Sequence, residues 1–160
     1  AFRRRYNADL ANDLGNLFSR LMAMAAYLDH RLPHKPEGSA AFRELSSRTH
    51  GIHASIEALQ FSEALEGIWQ GVRELNRLVD ERKPWAMAKK DPEALRLFMH
   101  EMVWCLRLIA GWLDPFMPDT ASKMHLQLGV GKTASGVEPQ KLPPLFPRKH
   151  DDKPRDAGNN

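Results

Sequence analysis

Residues 61–79 place the strongest constraint on the fold, because their apolar residues repeat at alternating spacings of four and three. The positions are Phe61, Leu65, Ile68, Val72, Leu75 and Val79. An α-helix turns once in about 3.6 residues, so this spacing puts the six side chains in one stripe along a helix. Such a stripe on a long helix is the seam along which a bundle packs. The sequence therefore predicts an all-α fold, a bundle of about five helices.

The amino-acid composition agrees with one helical domain and argues against other classes of protein. Leu, Met and Ala outnumber the β-branched residues Val, Ile and Thr, which favours helix over strand. The net charge of +3 is too small for a polybasic nucleic-acid clamp. No apolar run of about eighteen residues and no signal-peptide pattern occurs, so we expect no membrane partner.

Two further features concern the origin of the chain. Cys105 is the single cysteine, so the sequence predicts no disulfide framework. This indicates a reducing compartment, and we expect the protein to be located in the cytoplasm. The chain begins without Met, in the middle of a helical pattern. We therefore expect a fragment of a longer protein, either natural or made for expression.

Helix start and stop signals divide the chain into a helical domain and a tail. Asp91 fits an N-cap and Pro92 a first helical position, whereas Gly51 interrupts the second pattern. The predicted helices run from about Arg5 to Arg31, Ala40 to Leu59, Phe61 to Lys83, Pro92 to Asp114 and Pro118 to Gly129. We predict a helical domain over 1–129, an extended tail docked on the bundle over 130–148, and a disordered polar tail over 149–160.

The first predicted helix has an apolar face and a polar face. Its apolar stripe consists of Leu10, Leu14, Leu17, Phe18, Leu21, Met24, Ala25 and Leu28. Asn16 and Arg20 lie one turn apart on the other side, beside Asp9 and Asp13. An amide that donates and accepts, next to a guanidinium that only donates, suits an unpaired base edge beside a phosphate. The alternative is an ordinary solvated helix face.

Trp85 follows Pro84 in a short segment between the third and fourth predicted helices. The proline fixes the direction from which the chain arrives. A tryptophan at such a corner usually packs on the core, but an exposed indole is a platform for an unstacked base, worth about 1–3 kcal/mol. Asn76 lies near the apolar stripe of the third helix, and we expect its amide to bond to a neighbouring loop.

Four segments of the chain carry a family resemblance. They are Arg-Tyr-Asn-Ala-Asp-Leu-Ala-Asn-Asp-Leu-Gly-Asn-Leu at 5–17 with Ser-Arg at 19–20, Glu-Leu-Asn-Arg-Leu-Val-Asp-Glu-Arg-Lys-Pro-Trp-Ala-Met-Ala-Lys at 74–89, Pro-Phe-Met-Pro-Asp-Thr-Ala at 115–121 and Leu-Phe-Pro-Arg at 145–148. In this order and spacing, about residues 2–148 resemble the anticodon-binding domain of methionyl-tRNA synthetase, a class I aminoacyl-tRNA synthetase. Asn16, Arg20 and the corner at Trp85 are the features most specific to the methionine enzyme.

The resemblance implies a role in recognising methionine tRNA. It implies that Trp85 stacks on the first base of the CAU anticodon, and that Asn16 and Arg20 contact base edges and backbone of the loop. The partners that it implies are the anticodon loop of methionine tRNA and the catalytic domain of the same synthetase. Lys89 and Lys90, which follow the tryptophan, and Arg5 in the basic start of the chain are weaker candidates for RNA backbone contacts.

The resemblance assigns the ligation of methionine to tRNA, which uses ATP with Mg, to a catalytic domain that this chain lacks. Neither a His-Ile-Gly-His motif, a Lys-Met-Ser-Lys-Ser loop nor a glycine-rich phosphate loop occurs. We expect no catalytic residues, no cofactor and no activity for the chain alone. His30 with His34, and His50 with His53, have spacings that metal ligands can use. No cysteine pair accompanies them, so we expect no metal site.

Two other interpretations of the sequence stay open. One is the anticodon domain of a related class I synthetase, for isoleucine, valine, leucine or cysteine, although the Pro84–Trp85 corner argues against it. The other is a helical protein-interaction module without a role in RNA binding. Salt dependence separates RNA binding from apolar docking, because RNA binding weakens steeply with added salt through counterion release.

Overall fold

The computed structural model describes residues 12–24 and 35–129, and these residues contain helices and turns but no β-strand. The helices are α1 Asn16–Ala23, α2 Ala40–Ser47, α3 Thr49–Glu57, α4 Phe61–Arg82, α5 Pro84–Lys90, α6 Pro92–Leu113 and α7 Pro118–Gln127. The prediction of an all-α bundle is confirmed. Each of the five predicted helices is present, but the second is divided, and the segment that carries Trp85 is itself the short helix α5.

Helix α6 is the centre of the bundle. Eleven of its 22 residues are buried, and it packs against every other described helix. Burial of a wide face explains why its sequence is apolar over more than one stripe. Because α5 and part of α4 pack against α6, the bundle supports the corner at Trp85.

The seam of α4 faces the core as its spacing predicted. Ile68, Val72, Leu75 and Val79 are buried, whereas Leu65 is partly buried and Phe61 is exposed at the first residue of the helix. A close approach between helices lies at Gly71, where an added Cβ would stand 2.8 Å from Leu45 Cδ1 on α2 and 3.4 Å from Trp112 Cζ3 on α6. Glycine thus permits three helices to meet at one level.

The second predicted helix is broken at Arg48 rather than at Gly51, which lies inside α3. The hydroxyl of Ser47 donates to the Glu44 carbonyl oxygen at 2.6 Å, and this local bond competes with the helical pattern. The Arg48 side chain contacts Glu74 and donates to Gln70 Oε1 on α4 at 3.2 Å. The break therefore combines a local side-chain bond with contacts to a remote helix.

The first helix is described only in part. Residues 12–15 form a wide, π-type turn that leads into α1. Leu14, Leu17, Phe18 and Leu21 are buried, which confirms the apolar stripe over this part. The predicted ends at Arg5 and Arg31, and the two tail segments over 130–160, lie outside the described residues. No helix in the described ranges is long and apolar enough to cross a membrane.

Candidate functional site

The polar face of α1 and the neighbouring face of α4 enclose an open groove of about 560 Å³. Its lining consists of polar and charged residues: Asn12, Asp13, Asn16, Arg20, Arg73, Asn76, Arg77, Asp80 and Glu81. Three of these side chains are acidic and three are basic, and several of them pair across the surface. The groove therefore offers directed hydrogen-bond donors and acceptors rather than a strong net charge.

Arg20 joins the groove to the corner at Trp85. Its Nη2 donates to Asp80 Oδ1 at 2.8 Å, and its Cζ lies over the Trp85 ring, 5.3 Å from the centroid. The two side chains of the ion pair are 37% and 64% exposed. An exposed pair of this kind contributes about 0.2–1 kcal/mol, so Arg20 stays available to a stronger partner.

Trp85 is held at the corner by the backbone around it. Lys83 adopts a left-handed conformation, with φ 49° and ψ 62°, and this turns the chain between α4 and α5. Pro84 is buried and begins α5, so the next residue is directed outward. Trp85 is 49% exposed. About half of the Trp85 surface is thus accessible, and Arg20 lies over the ring.

The structure brings Asn16 and Arg20 into one groove and connects Trp85 to them through Arg20. Asn16 is exposed in the first turn of α1. Lys89 and Lys90 are exposed in the last turn of α5, on the same short helix as Trp85, and they do not line the groove. Arg5 lies outside the described residues. Sequence reasoning therefore identified three side chains that the fold joins into one patch.

The contribution of α4 to the groove was missing from the sequence interpretation. Arg73, Arg77, Asp80 and Glu81 lie about one turn apart along one face of α4. This polar stripe is visible in the sequence, but its position opposite Asn16 depends on how α1 packs. Asn76 belongs to the same face, and its Nδ2 donates to the Asp13 carbonyl oxygen at 3.1 Å. The prediction that the Asn76 amide bonds to a loop was therefore wrong. It bonds to the backbone of the π-helical turn that leads into α1.

Three side chains of α6 have shifted pKa values, and none of them lines the groove. A hydrogen bond from Arg96 lowers the pKa of the Glu93 carboxyl. Burial raises the pKa of the Cys105 thiol to about 12, with a further contribution from Glu101. Burial also lowers the pKa of Arg107. The shifts of Cys105 and Arg107 reflect the packing of α6 in the bundle, whereas that of Glu93 comes from a neighbour on the same helix.

Of the two histidine pairs considered as metal ligands, one is exposed on α3 and the other lies outside the described residues. His50 and His53 are exposed on α3. His30 and His34 lie outside the described residues. Within the described ranges, no group of three or more His, Cys, Asp or Glu side chains is placed to hold a metal ion.

Comparisons with known proteins agree with this architecture. A family model described as "Anticodon binding domain of methionyl tRNA ligase" matches residues 33–142, which include Trp85, Lys89 and Lys90. The methionine–tRNA ligase of Caldanaerobacter subterraneus subsp. tengcongensis is 38% identical over 137 residues, 81% of this chain and 22% of that protein. The methionine–tRNA ligase of Clostridium acetobutylicum is 33% identical over 170 aligned residues, 95% of this chain and 26% of that protein.

A solved structure extends the likeness to three dimensions. The apo form of Mycobacterium tuberculosis methionyl-tRNA synthetase matches with a TM-score of 0.71 and 26% identity, over 93% of this chain and 34% of that one. The chain spans about a fifth to a quarter of the length of the two ligases named above. Because the family model covers well over half of the 160 residues, the chain belongs to the family of the anticodon-binding domain of methionyl tRNA ligase.

Proposed function

We propose that the patch formed by Asn16, Arg20 and Trp85 binds the anticodon loop of methionine tRNA and reads its CAU triplet. In this proposal the chain is the tRNA-binding part of a cytoplasmic methionine–tRNA ligase. The observation that carries it is the Arg20 guanidinium over a half-exposed Trp85 indole. A cation and an aromatic face together are what a protein uses to hold a single-stranded base beside its phosphate.

Trp85 supplies the stacking surface. Single-stranded loops present unstacked bases, and each base that stacks on an aromatic side chain contributes about 1–3 kcal/mol. The left-handed Lys83 and the buried Pro84 orient the indole before RNA arrives. A preoriented platform loses less conformational entropy on binding than a mobile side chain. The first anticodon base, C, is the base that we assign to Trp85.

Arg20 and Asn16 supply polar recognition next to this platform. A guanidinium carries five N–H donors, and Arg20 Nη2 donates to Asp80 Oδ1 at 2.8 Å. The remaining donors are suited to a phosphate or to an acceptor on a base edge. The Asn16 amide both donates and accepts, so it is suited to a base edge that presents both kinds of group. Discrimination between bases then comes from hydrogen bonds to a base that stacking on Trp85 holds in place, so both affinity and preference depend on the indole.

The basic residues near Trp85 are assigned to the RNA backbone. Lys89 and Lys90 are exposed in the last turn of α5. Contacts to phosphate position an RNA without reading its sequence. We therefore assign to these two lysines, and to Arg5, a contribution to affinity that is equal for all anticodons and that decreases with added salt.

The ligation itself is assigned to a catalytic domain of the same synthetase. The described residues offer no cluster of metal ligands, and the sequence has no glycine-rich phosphate loop. We propose that the chain alone binds tRNA but does not activate methionine.

The test is a fluorescence titration of the chain with two RNA stem-loops. One carries CAU, and the other differs only in the first anticodon base. We expect CAU to bind more tightly, and we expect Trp85→Ala to remove a preference of about 1–3 kcal/mol. Phe61→Ala is the matched control, because Phe61 is also an exposed aromatic residue, at 48%. It lies at the other end of α4, about 30 Å away along the helix.

The outcomes separate the proposed function from the alternative of a protein-interaction module. Equal binding of both loops, unchanged by Trp85→Ala, would contradict anticodon reading. If binding also changes little between about 50 and 200 mM salt, a polyanion contact is excluded, because phosphate contacts give a steep salt dependence. The polar groove would then be a docking site for a protein.

A further inference from the structure

The floor of the groove holds a hydrogen bond that connects two distant parts of the chain. Asn76 Nδ2 on α4 donates to the Asp13 carbonyl oxygen at 3.1 Å, across 63 residues of sequence. Asp13 belongs to the wide turn over 12–15 that precedes α1. Asn16 begins α1 one turn later. The bond therefore attaches α4 to the backbone immediately before the Asn16 side chain.

The start of α1 has little local reinforcement. Gly15 joins the π-type turn over 12–15 to α1 in an αR conformation, and no side chain caps this junction. Short helical segments depend on packing for their stability. Leu14 and Leu17 are buried and hold the helix against the bundle. Apolar contacts are not directional, whereas a hydrogen bond has a preferred distance and angle.

We propose that Asn76 is a positioning residue that sets the place of the Asn16 amide over the groove. This inference rests on the proposed function and adds a residue to it. Arg20 is held separately, by Asp80 and by the indole of Trp85. Loss of the Asn76 bond should therefore disturb the base that Asn16 reads and leave stacking on Trp85 unchanged. Asn76 acts through the helix backbone and does not itself contact the RNA.

The substitution Asn76→Asp tests this mechanism with little change in side-chain size. A carboxylate has no N–H donor, so it cannot donate to the Asp13 carbonyl oxygen. Gln70→Ala is the matched control, because Gln70 is also on α4 and its Oε1 accepts a bond from Arg48 at 3.2 Å. It removes a bond between α4 and a different part of the bundle. A second substitution, Asn76→Ala, separates loss of the donor from the effect of added charge.

Binding is measured with the CAU stem-loop and with three loops that each change one anticodon base. Asn16→Ala first identifies the position that Asn16 reads. At that position we expect both Asn76 variants to reduce the base preference about 5-fold, as for the loss of one neutral hydrogen bond. The double variant with Asn16→Ala should lose no more preference than Asn16→Ala alone. The double variant with Trp85→Ala should be additive.

Hydrogen exchange of the free protein provides a measurement that does not need RNA. We expect Asn76→Ala to speed the exchange of backbone amides at the start of α1, while Gln70→Ala leaves them unchanged. If exchange is unchanged, Asn76 does not anchor the helix and the inference is overturned. It is also overturned if the Asn76 variants weaken all four loops equally, or if their effect adds fully to that of Asn16→Ala.

Failure of the proposed function and failure of the inference about Asn76 give different binding results. If the unsubstituted chain shows no preference among the loops, the proposed function fails, and a role for Asn76 in anticodon reading fails with it. If the chain prefers CAU and Trp85→Ala removes that preference while the Asn76 variants do not alter the position read by Asn16, only the inference about Asn76 fails.

Discussion

Replacing Arg20 tests the geometry of the patch without any RNA. The substitution Arg20→Met removes the guanidinium and keeps an aliphatic side chain. The ion pair with Asp80 is exposed, so its loss costs about 0.2–1 kcal/mol. The contact with the Trp85 ring, at 5.3 Å from the centroid, contributes about 0.5–1 kcal/mol at an exposed site. We therefore expect Arg20→Met to lower the free energy of unfolding by about 0.7–2 kcal/mol.

Double-mutant cycles in urea separate these two contributions. Arg20→Met is combined with Trp85→Ala in one cycle and with Asp80→Asn in the other. We expect coupling energies of about 0.5–1 kcal/mol for the tryptophan and at most about 1 kcal/mol for the aspartate. In about 1 M salt the Debye length falls to roughly 3 Å, so the coupling to Asp80 should shrink. The coupling to Trp85 should decrease less, because part of it is stacking of the planar guanidinium.

A distant aromatic residue controls for general effects on stability. Arg20→Met combined with Phe61→Ala should be additive within about 0.3–0.5 kcal/mol, as for independent sites. The reasoning is refuted if the coupling between Arg20 and Trp85 is no larger than this control at both salt concentrations. The guanidinium would then not rest on the indole in solution, and Arg20 and Trp85 would not form one patch.

Three other predictions concern the neighbouring helices. Replacing both Lys89 and Lys90 by Gln should reduce the slope of log affinity against log salt by up to about 1.4, or about 0.7 per phosphate contact. The control Lys123→Gln, at an exposed position on α7, should leave the slope unchanged. Equal slopes for the double variant and the unsubstituted chain would show that the two lysines do not contact RNA. Cys105, which is fully buried with a pKa raised to about 12, should resist alkylation at pH 8 and react only on unfolding, as mass spectrometry would detect; fast labelling of the folded chain would contradict its burial. Asp91→Ala removes the carboxylate that accepts from the Ala94 amide at 3.0 Å. Urea unfolding should show a free energy of unfolding lower by about 0.5–2 kcal/mol. Asp91→Asn, which keeps an acceptor, should retain most of this free energy.

Local patterns in the sequence were sufficient for the helices. The seam from Phe61 to Val79 predicted α4, and all but its first two positions are buried. Asp91 and Pro92 predicted the start of α6, where the Asp91 carboxylate caps the helix. Such signals act within one or two turns of helix, so they can be read without knowledge of the fold.

Contacts to remote residues decided where the second predicted helix breaks. Gly51 suggested the interruption because glycine weakens a helix. The break occurs at Arg48 instead, where the side chain contacts Glu74 and Gln70 on α4. These partners are more than twenty residues away in the sequence. Propensity within the helix could not indicate their position.

The sequence by itself determined the helical class of the chain, the pairing of Asn16 and Arg20 on one face, and the corner at Trp85. Only the tertiary structure decided that Arg20 reaches both Asp80 and the indole, and that Asn76 bonds to the turn before α1. The physical reason is the range of the interactions. Periodicity and capping depend on residues within a few positions, whereas the rotation and offset of α1 against α4 depend on the packing of the whole bundle.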